Sequence, residues 1–350
     1  MDIWWTSFLV ALGGSVIVTP LTIPLAKRTG MVDMPDGERK NHERPLPYLG
    51  GAAIYAASMI SFLLVARSNI PYIKPVFMVG FTAIFVLGLI DDSKDVSPKL
   101  RLSMHFLVSL MMYVFGTLYY FTAGVFGDTV FMQILIGLFF VAWNVGIVSA
   151  VNWSDGMDGL AGGLSAIAAL AFALILFLNN NTDFALPIAT GLIGAVLGFL
   201  PYNWHPSKTI MGDNGSTFLG FMLGALSIVV VNGCRTILAF CVPILILAVP
   251  LMDTGVSMLR RRLRGQSIMA ADGEHLHHKL VRRFEKHRKV VIIEYIMGIL
   301  AAASGVLVYV FQAYWLGWII VAVLMIGGSL YAIIRHVPAS QPDERKEQVV

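Results

Sequence analysis

Long apolar runs, separated by short polar intervals, set the pattern of this chain. A helix crossing roughly 30 Å of hydrocarbon needs about 20 mostly apolar residues. On that measure about eleven runs qualify: 3–26, 50–66, 75–90, 102–122, 130–148, 160–178, 186–202, 217–231, 236–258, 291–311 and 314–334. The pattern predicts an all-α polytopic membrane protein with polar loops at about 27–49, 91–101, 149–159, 203–216 and 259–290. Residues 1–335 read as a single integral-membrane domain, followed by a polar tail at 336–350.

Composition agrees with the pattern. The 350 residues are 57% hydrophobic and only 13% charged, with mean hydropathy +0.75, which excludes an ordinary soluble domain. The first residues, MDIWW, lack the basic stretch and small-residue cleavage site of a secretory signal, so the first span is expected to be retained. Every Lys and Arg except Arg67, Lys74 and Arg235 falls in 27–49, 91–101, 203–216, 259–290 or 335–350. By the positive-inside rule those intervals are cytoplasmic, which puts the N-terminus outside, the C-terminus inside, and requires an odd number of spans. Cys234 and Cys241 lie seven apart, too far for a bridge along a helix, and read as filler. Sequons at Asn152 and Asn214 face the cytoplasm in this reading and say nothing of glycosylation.

The acids concentrate on the same side. Asp91, Asp92, Asp95, Asp155, Asp158, Asp213, Asp253, Asp272 and Glu274 all fall at inner helix ends or in inner loops, leaving Asp2, Asp128 and Asp183 outside. A secondary transporter would tend to keep its ionisable groups near mid-membrane. A cluster at the cytosolic interface reads instead as a reaction site open to soluble substrate.

Five inner segments carry the chemistry. The stretch 33–51, DMPDGERKNHERPLPYLGG, predicts an irregular loop entering a helix at Gly50 and Gly51; its Arg39, Lys40 and His42 are candidate substrate contacts, with positive-inside charge as the plainer explanation. DDSKDVSPKLR at 91–101 sets Asp91 and Asp92 at a helix end, Asp95 a turn later and Lys99 nearby; the pair can bracket a phosphate through a hard cation, or simply terminate a helix. NWSDGMDGLAGG at 152–163 spaces Asn152, Asp155 and Asp158 by threes, so that the acids share a face if helical. MGDNGSTFLGF at 211–221 places Asp213 where a membrane helix opens, with N–H groups and Ser216 able to meet an anion. From 259 to 290 come RRRLRG and DGEHLHHKL, with Arg260, Arg261, Arg264, His275, His277 and His278; lipid headgroups account for the arginines but not for histidines beside acids.

Asp with Asn and no thiolate suits Mg²⁺, with Mn²⁺ as the substitute, whereas zinc fits the 275–278 histidines poorly because His275 and His278 share a helical face and His277 does not. Such an ion beside Lys, Arg and His implies phosphoryl transfer, and the bilayer implies a lipid substrate.

DDSKD, NWSDGMDGLAGG, MGDNGSTFLGF, PLMDT (250–254) and DGEHLHHKL, in this order on inner loops, together with D-x-P, RKxH and PxPxxGG in the first loop, resemble the polyprenyl-phosphate N-acetylhexosamine-1-phosphate transferases, and most of all their bacterial WecA/TagO branch. The resemblance covers nearly the whole chain to about residue 290. It implies transfer of GlcNAc-1-phosphate from UDP-GlcNAc to undecaprenyl phosphate, with release of UMP, at the cytoplasmic face of a bacterial inner membrane. It further implies Asp213 and Asn152 as metal ligands, Asp91, Asp92, Asp155 and Asp158 as catalytic acids, and Lys99 with the arginine and histidine cluster as substrate contacts. Where some relatives offer uracil an aromatic platform three positions before the metal Asp, this chain has Ile210. The nearest alternative is the phospho-MurNAc-pentapeptide transferase branch, whose late motif is a run of consecutive histidines rather than HLHHKL; a CDP-alcohol phosphatidyltransferase would need DGxxAR, which DGLAGG is not, and a transporter is the remote alternative. The sequence is compatible with a homodimer and shows no sign of nucleic-acid binding.

Overall fold

A computed structural model describes residues 2–34, 45–67, 73–94, 96–115, 129–234, 236–267, 275–284 and 286–336. Its helices are α1 (Ile3–Thr29), α2 (Gly50–Val65), α3 (Ile73–Lys94), α4 (Pro98–Val114), α5 (Val130–Trp153), α6 (Leu160–Leu178), α7 (Ala185–Asn203), α8 (Gly212–Cys234), α9 (Cys241–Ile246), α10 (Ala248–Leu263), α11 (Leu276–Phe284), α12 (His287–Val310) and α13 (Tyr314–His336). Two short strands, β1 (Val32–Asp33) and β2 (Leu46–Pro47), pair antiparallel.

Among the described residues eight helices, α1, α3, α5, α6, α7, α8, α12 and α13, are long and apolar enough to cross a membrane, and Ile237–Ile246, which includes α9, makes a ninth with α10 if that bent pair counts as one span. Nine of the expected runs fall on single helices and 102–122 falls on α4 as far as Val114, with 116–122 outside the described residues; α2, with 16 residues, and α4, with 17, fall short of the roughly 20 residues of a full crossing. The run expected at 236–258 is broken: α9 and α10 meet at 87° around Leu247. Pro250 supplies the cause, since its ring collides with the carbonyl four residues back, and Ile246 is where α9 stops.

α8 is the axis of the bundle. Its membrane window is 83% buried within the protein, against 17% for α13, and it packs on α3, α5, α6 and α2. Small residues permit the approach: a Cβ on Gly88 of α3 would lie 2.5 Å from Asn214 Cα, and one on Gly51 of α2 would lie 2.3 Å from Gly215 N. Such backbone-to-backbone contact is how helices associate where lipid removes the hydrophobic incentive. Phe81, Phe218 and Phe221 fill the space between α3 and α8 with edge-to-face rings.

The β1–β2 pair is stitched to the segment before α8. Ile210 N donates to Pro47 O at 2.9 Å, Gly50 N to Ile210 O at 3.1 Å, and Gly51 N to Met211 O at 2.9 Å. These bonds set where α8 begins, and so where Asp213 stands.

Candidate active site

The α8 N-terminus leaves backbone N–H groups without partners inside the helix. Asp92, at the end of α3, supplies the acceptor: Oδ1 takes the bond from Asp213 N (2.8 Å) and Oδ2 those from Asn214 N (2.9 Å) and Asn214 Nδ2 (2.5 Å). Asp92 therefore caps a helix other than its own. Gly212 makes the turn with φ +73°, a left-handed value suited to glycine, and a Cβ there would come within 2.9 Å of Asp92 Oδ2. Tyr48 closes the joint, its hydroxyl donating to Asp92 O (3.1 Å) and its carbonyl accepting from Asn214 Nδ2 (3.1 Å).

Asp91 turns the other way. Only 6% exposed, it receives Val96 N at 3.1 Å and pairs with Arg101 Nε at 2.5 Å. Arg101 also reaches Asp213 Oδ2 through Nη1 at 3.3 Å, and the Asp91 and Asp213 side chains are in direct contact. Two carboxylates held together need a cation or a shared proton, and one guanidinium serves both. Asn152, from the end of α5, donates Nδ2 to Asp213 Oδ1 (2.7 Å) and Ser216 Oγ (2.9 Å). A cavity of about 130 Å³ opens beside this group, lined by Arg101, Leu102, His105, Asn152 and Trp153 among others.

The segment in which Asp155 and Asp158 would share a face if helical is a turn between α5 and α6, within the loop expected at about 149–159. The two acids consequently part company. Asp158 Oδ2 bonds His205 Nδ1 (2.8 Å) and Ser207 N (3.2 Å). Asp155 sits in the field of the centre: loss of solvent holds its carboxyl well above the usual carboxylate range, and the charges of Asp213, Asp92 and Asp158 push the same way. The turn is pinned by Asn203 Oδ1, accepting from Gly159 N (2.9 Å), and by Tyr295, donating to Gly159 O (2.5 Å).

In the basic segment His275 is buried and bonded to Asp253 Oδ2 through Nδ1 (2.9 Å), while Leu276 N donates to Asp253 Oδ1 (2.7 Å). Arg260 and Arg261 are buried too: Arg260 donates to Ser257 Oγ (3.2 Å), and Arg261 lies over the Trp153 ring at 5.0 Å. Trp153, next to Asn152, thus links this segment to the carboxylate centre. Arg264 and Lys99 are exposed. Arg39, Lys40, His42, Asp95, Asp272, Glu274 and the side chains of His277 and His278 lie outside the described residues.

Sequence reasoning thus brings Asp91, Asp92, Asn152, Asp155 and Asp213 to one place but misses Arg101, read there only as interface charge. Its contact with Asp213 spans more than a hundred residues, and no local pattern announces it. His205 and His287 were missed for the same reason.

A fold of long apolar helices packed around an acidic centre is that of a polytopic membrane protein. Comparison narrows the class. Residues 75–231 match glycosyl transferase family 4. The chain is 33% identical over 91% of its length to the probable undecaprenyl-phosphate N-acetylglucosaminyl 1-phosphate transferase of Bacillus subtilis, covering 88% of that protein. It is 34% identical over 80% of its length to the decaprenyl-phosphate N-acetylglucosaminephosphotransferase of Mycolicibacterium smegmatis, covering 76% of it. Against the undecaprenyl-phosphate alpha-N-acetylglucosaminyl 1-phosphate transferase of Escherichia coli K12 the identity is 30% over 88% of this chain and 84% of the relative. The chain belongs to glycosyl transferase family 4.

Proposed function

We propose that this protein transfers GlcNAc-1-phosphate from UDP-GlcNAc to undecaprenyl phosphate, giving undecaprenyl-pyrophosphate-GlcNAc and UMP, as the first membrane step of a cell-envelope polysaccharide or teichoic acid. The observation that carries the chemistry is the Asp91–Arg101–Asp213 group at the meeting of α3, α4 and α8. In this reading the chain makes eleven crossings of the bacterial inner (plasma) membrane, with α2, α4 and the broken α9–α10 pair among them. Its N-terminus is outside, its C-terminus cytoplasmic, and the centre opens to the cytoplasm.

The donor set fits Mg²⁺. It is all oxygen and amide, and the touching Asp91 and Asp213 carboxylates call for more positive charge than one guanidinium. Asp213 and Asn152 would hold the ion; Asn152 now presents its amide nitrogen to Asp213, so ligation by both requires the amide to turn over. When bound, the ion, or Mn²⁺ in its place, neutralises charge on the pyrophosphate and on departing UMP. Arg101 offers its fork to phosphate oxygens once released from the acid pair. Asp91 orients the acceptor phosphate, whose oxygen attacks the β-phosphorus directly. Asp92 holds Asp213 in place through the start of α8, and Asp155, whose neutral form burial favours, faces the nucleotide. The Trp153–Arg261 stack and the Asp253–His275 pair hold the basic segment against the donor.

One phosphoanhydride replaces another, so the reaction is near balance and reversible: UMP with the lipid product regenerates UDP-GlcNAc. The test is time-resolved UMP release by purified protein in detergent with undecaprenyl phosphate, with UDP-GalNAc and UDP-MurNAc-pentapeptide run beside UDP-GlcNAc. UMP release from UDP-GlcNAc alone supports the proposal; release only from UDP-MurNAc-pentapeptide, or from none, overturns it.

A further inference from the structure

Away from Asp91 and Asp213, a second cluster has different chemistry. Asp158 from the turn before α6, His205 just after α7 and His287 at the first position of α12 each offer a ligand atom, all within 4.8 Å of one another. No other such trio occurs among the described residues. The two imidazoles are stacked, with centroids 4.1 Å apart and planes 12° from parallel. His205 Nδ1 meets Asp158 Oδ2 at 2.8 Å. His287 contacts the Asp158 backbone, yet its Nε2 is buried without a hydrogen-bond partner. A buried polar atom left unpaired costs about 1 to 3 kcal/mol and asks for a ligand.

From this geometry we infer that Asp158, His205 and His287 form a second divalent-cation site, selective for a borderline ion such as Zn²⁺ over Mg²⁺. Two imidazoles and one carboxylate are a Zn²⁺ donor set, with ligand bonds of about 2.0 to 2.2 Å and the fourth position open to water or a phosphate oxygen. Mg²⁺ prefers oxygen and keeps its waters. Because imidazole lone pairs lie in the ring planes, ligation by both histidines requires the stacked rings to turn apart about their side-chain bonds until both planes meet at the ion, with donor atoms roughly 3.3 Å from one another. Because the Asp158 carboxylate only accepts, His205 Nδ1 carries the proton of their hydrogen bond; that proton is released to solvent as the ion enters. The opposing charge nearby is Arg288, which donates Nε and Nη2 to His205 O at 3.0 and 2.8 Å and so points its fork at the backbone rather than at the rings.

The site joins three separate segments. Its occupation ties the turn that carries Asp155 and Asp158 to the end of α7 and the start of α12, beside the anchors already made by Asn203 and Tyr295. The inference does not depend on the sugar-phosphate reaction, since its readout is ion binding with no sugar nucleotide present.

The test uses the full-length protein in detergent, stripped with chelator and returned to buffer with millimolar Mg²⁺ to fill the oxygen donors. Zn²⁺ binding is followed by calorimetry, and Co²⁺ by the visible absorption of a tetrahedral nitrogen-ligated ion. The expected result is one Zn²⁺ per chain, weakened at least about tenfold in both His205→Ala and His287→Ala, and unchanged in His275→Ala. Should an alanine variant fail to stay monodisperse, His205→Gln or His287→Gln replaces it, keeping the volume and losing the ligand. No Zn²⁺ bound by the parent protein, or equal affinity in the His205 and His287 variants, overturns the proposal.

Discussion

The acids at Asp91–Asp213 and at Asp158 answer the same problem, a carboxylate near a membrane, in two ways. At the first, two side-chain carboxylates share one guanidinium, a joint that charged phosphates and a hard cation can take over. At the second, one carboxylate is matched by an imidazole and a backbone N–H, and the surplus lies in nitrogen donors. The contrast teaches that acid-rich sequence is not one kind of site: the partner supplied by a distant segment decides whether an acid is poised for exchange or tied down. Asp91 and Asp92 show it at the scale of one peptide bond, the first facing Arg101 and the second spent on capping α8.

The largest effect expected on this contrast is at Asp213. Asp213→Ala should lower UMP release at least about 100-fold, beyond the 10- to 100-fold typical of losing a group that only supports a ligand, whereas Asp183→Asn, an exposed position far along the chain, should leave the rate unchanged. Equal effects of the two, read in the same UMP assay, would break the distinction between centre and surface.

Next comes Arg101. Arg101→Ala should cost about 10- to 100-fold in kcat/KM, and Arg101→Lys should recover part of it, because a lysine restores the charge but not the bidentate fork. Full activity in the alanine variant would mean the fork plays no part in binding phosphate.

Asp92 sharpens the comparison differently, through stability. Asp92→Ala removes a helix cap, worth about 1 to 2 kcal/mol, so the thermal midpoint should fall and the residual activity per folded molecule should fall with it at any Mg²⁺ concentration. A loss reversed by excess Mg²⁺ would instead identify Asp92 as a ligand.

The smallest effect belongs to Asp155. An acid whose folded pKa is raised binds its proton more tightly in the folded than in the unfolded chain, so it costs stability as pH climbs past the ordinary value near 4, with the cost complete above the folded value. Asp155→Asn should therefore raise the thermal midpoint at neutral pH without Mg²⁺, and the gain should vanish near pH 4. A lower midpoint at neutral pH would contradict the stated environment.

Much of this was legible in the sequence, and for a physical reason. Apolar run length is set by bilayer thickness, so the helices could be read from composition alone, and acids are costly enough near lipid that their clustering marks a site. The motif around Asp213 opened a helix as read, because Gly212 and Asp213 are local signals. The α9–α10 bend was missed because apolar length dominated the reading while Pro250, the residue that ends α9, sat inside the run. The loop expected at about 149–159 is present as the turn 154–159; the shared face that threefold spacing would give Asp155 and Asp158 in a helix does not form, because Asn203, His205 and Tyr295, all remote in sequence, hold the segment as a turn. Arg101, two residues beyond Lys99, faces the acids inside the centre, a contact that the spacing of the motif does not announce.

The central claim is that the Asp91–Arg101–Asp213 centre transfers GlcNAc-1-phosphate to a polyprenyl phosphate. Exchange of labelled UMP into UDP-GlcNAc, catalysed by purified protein with undecaprenyl-pyrophosphate-GlcNAc and Mg²⁺, tests it most directly. The account predicts exchange that requires the lipid and is abolished by chelator and by Asp213→Ala; exchange that proceeds without the lipid, or none with every component present, would contradict it.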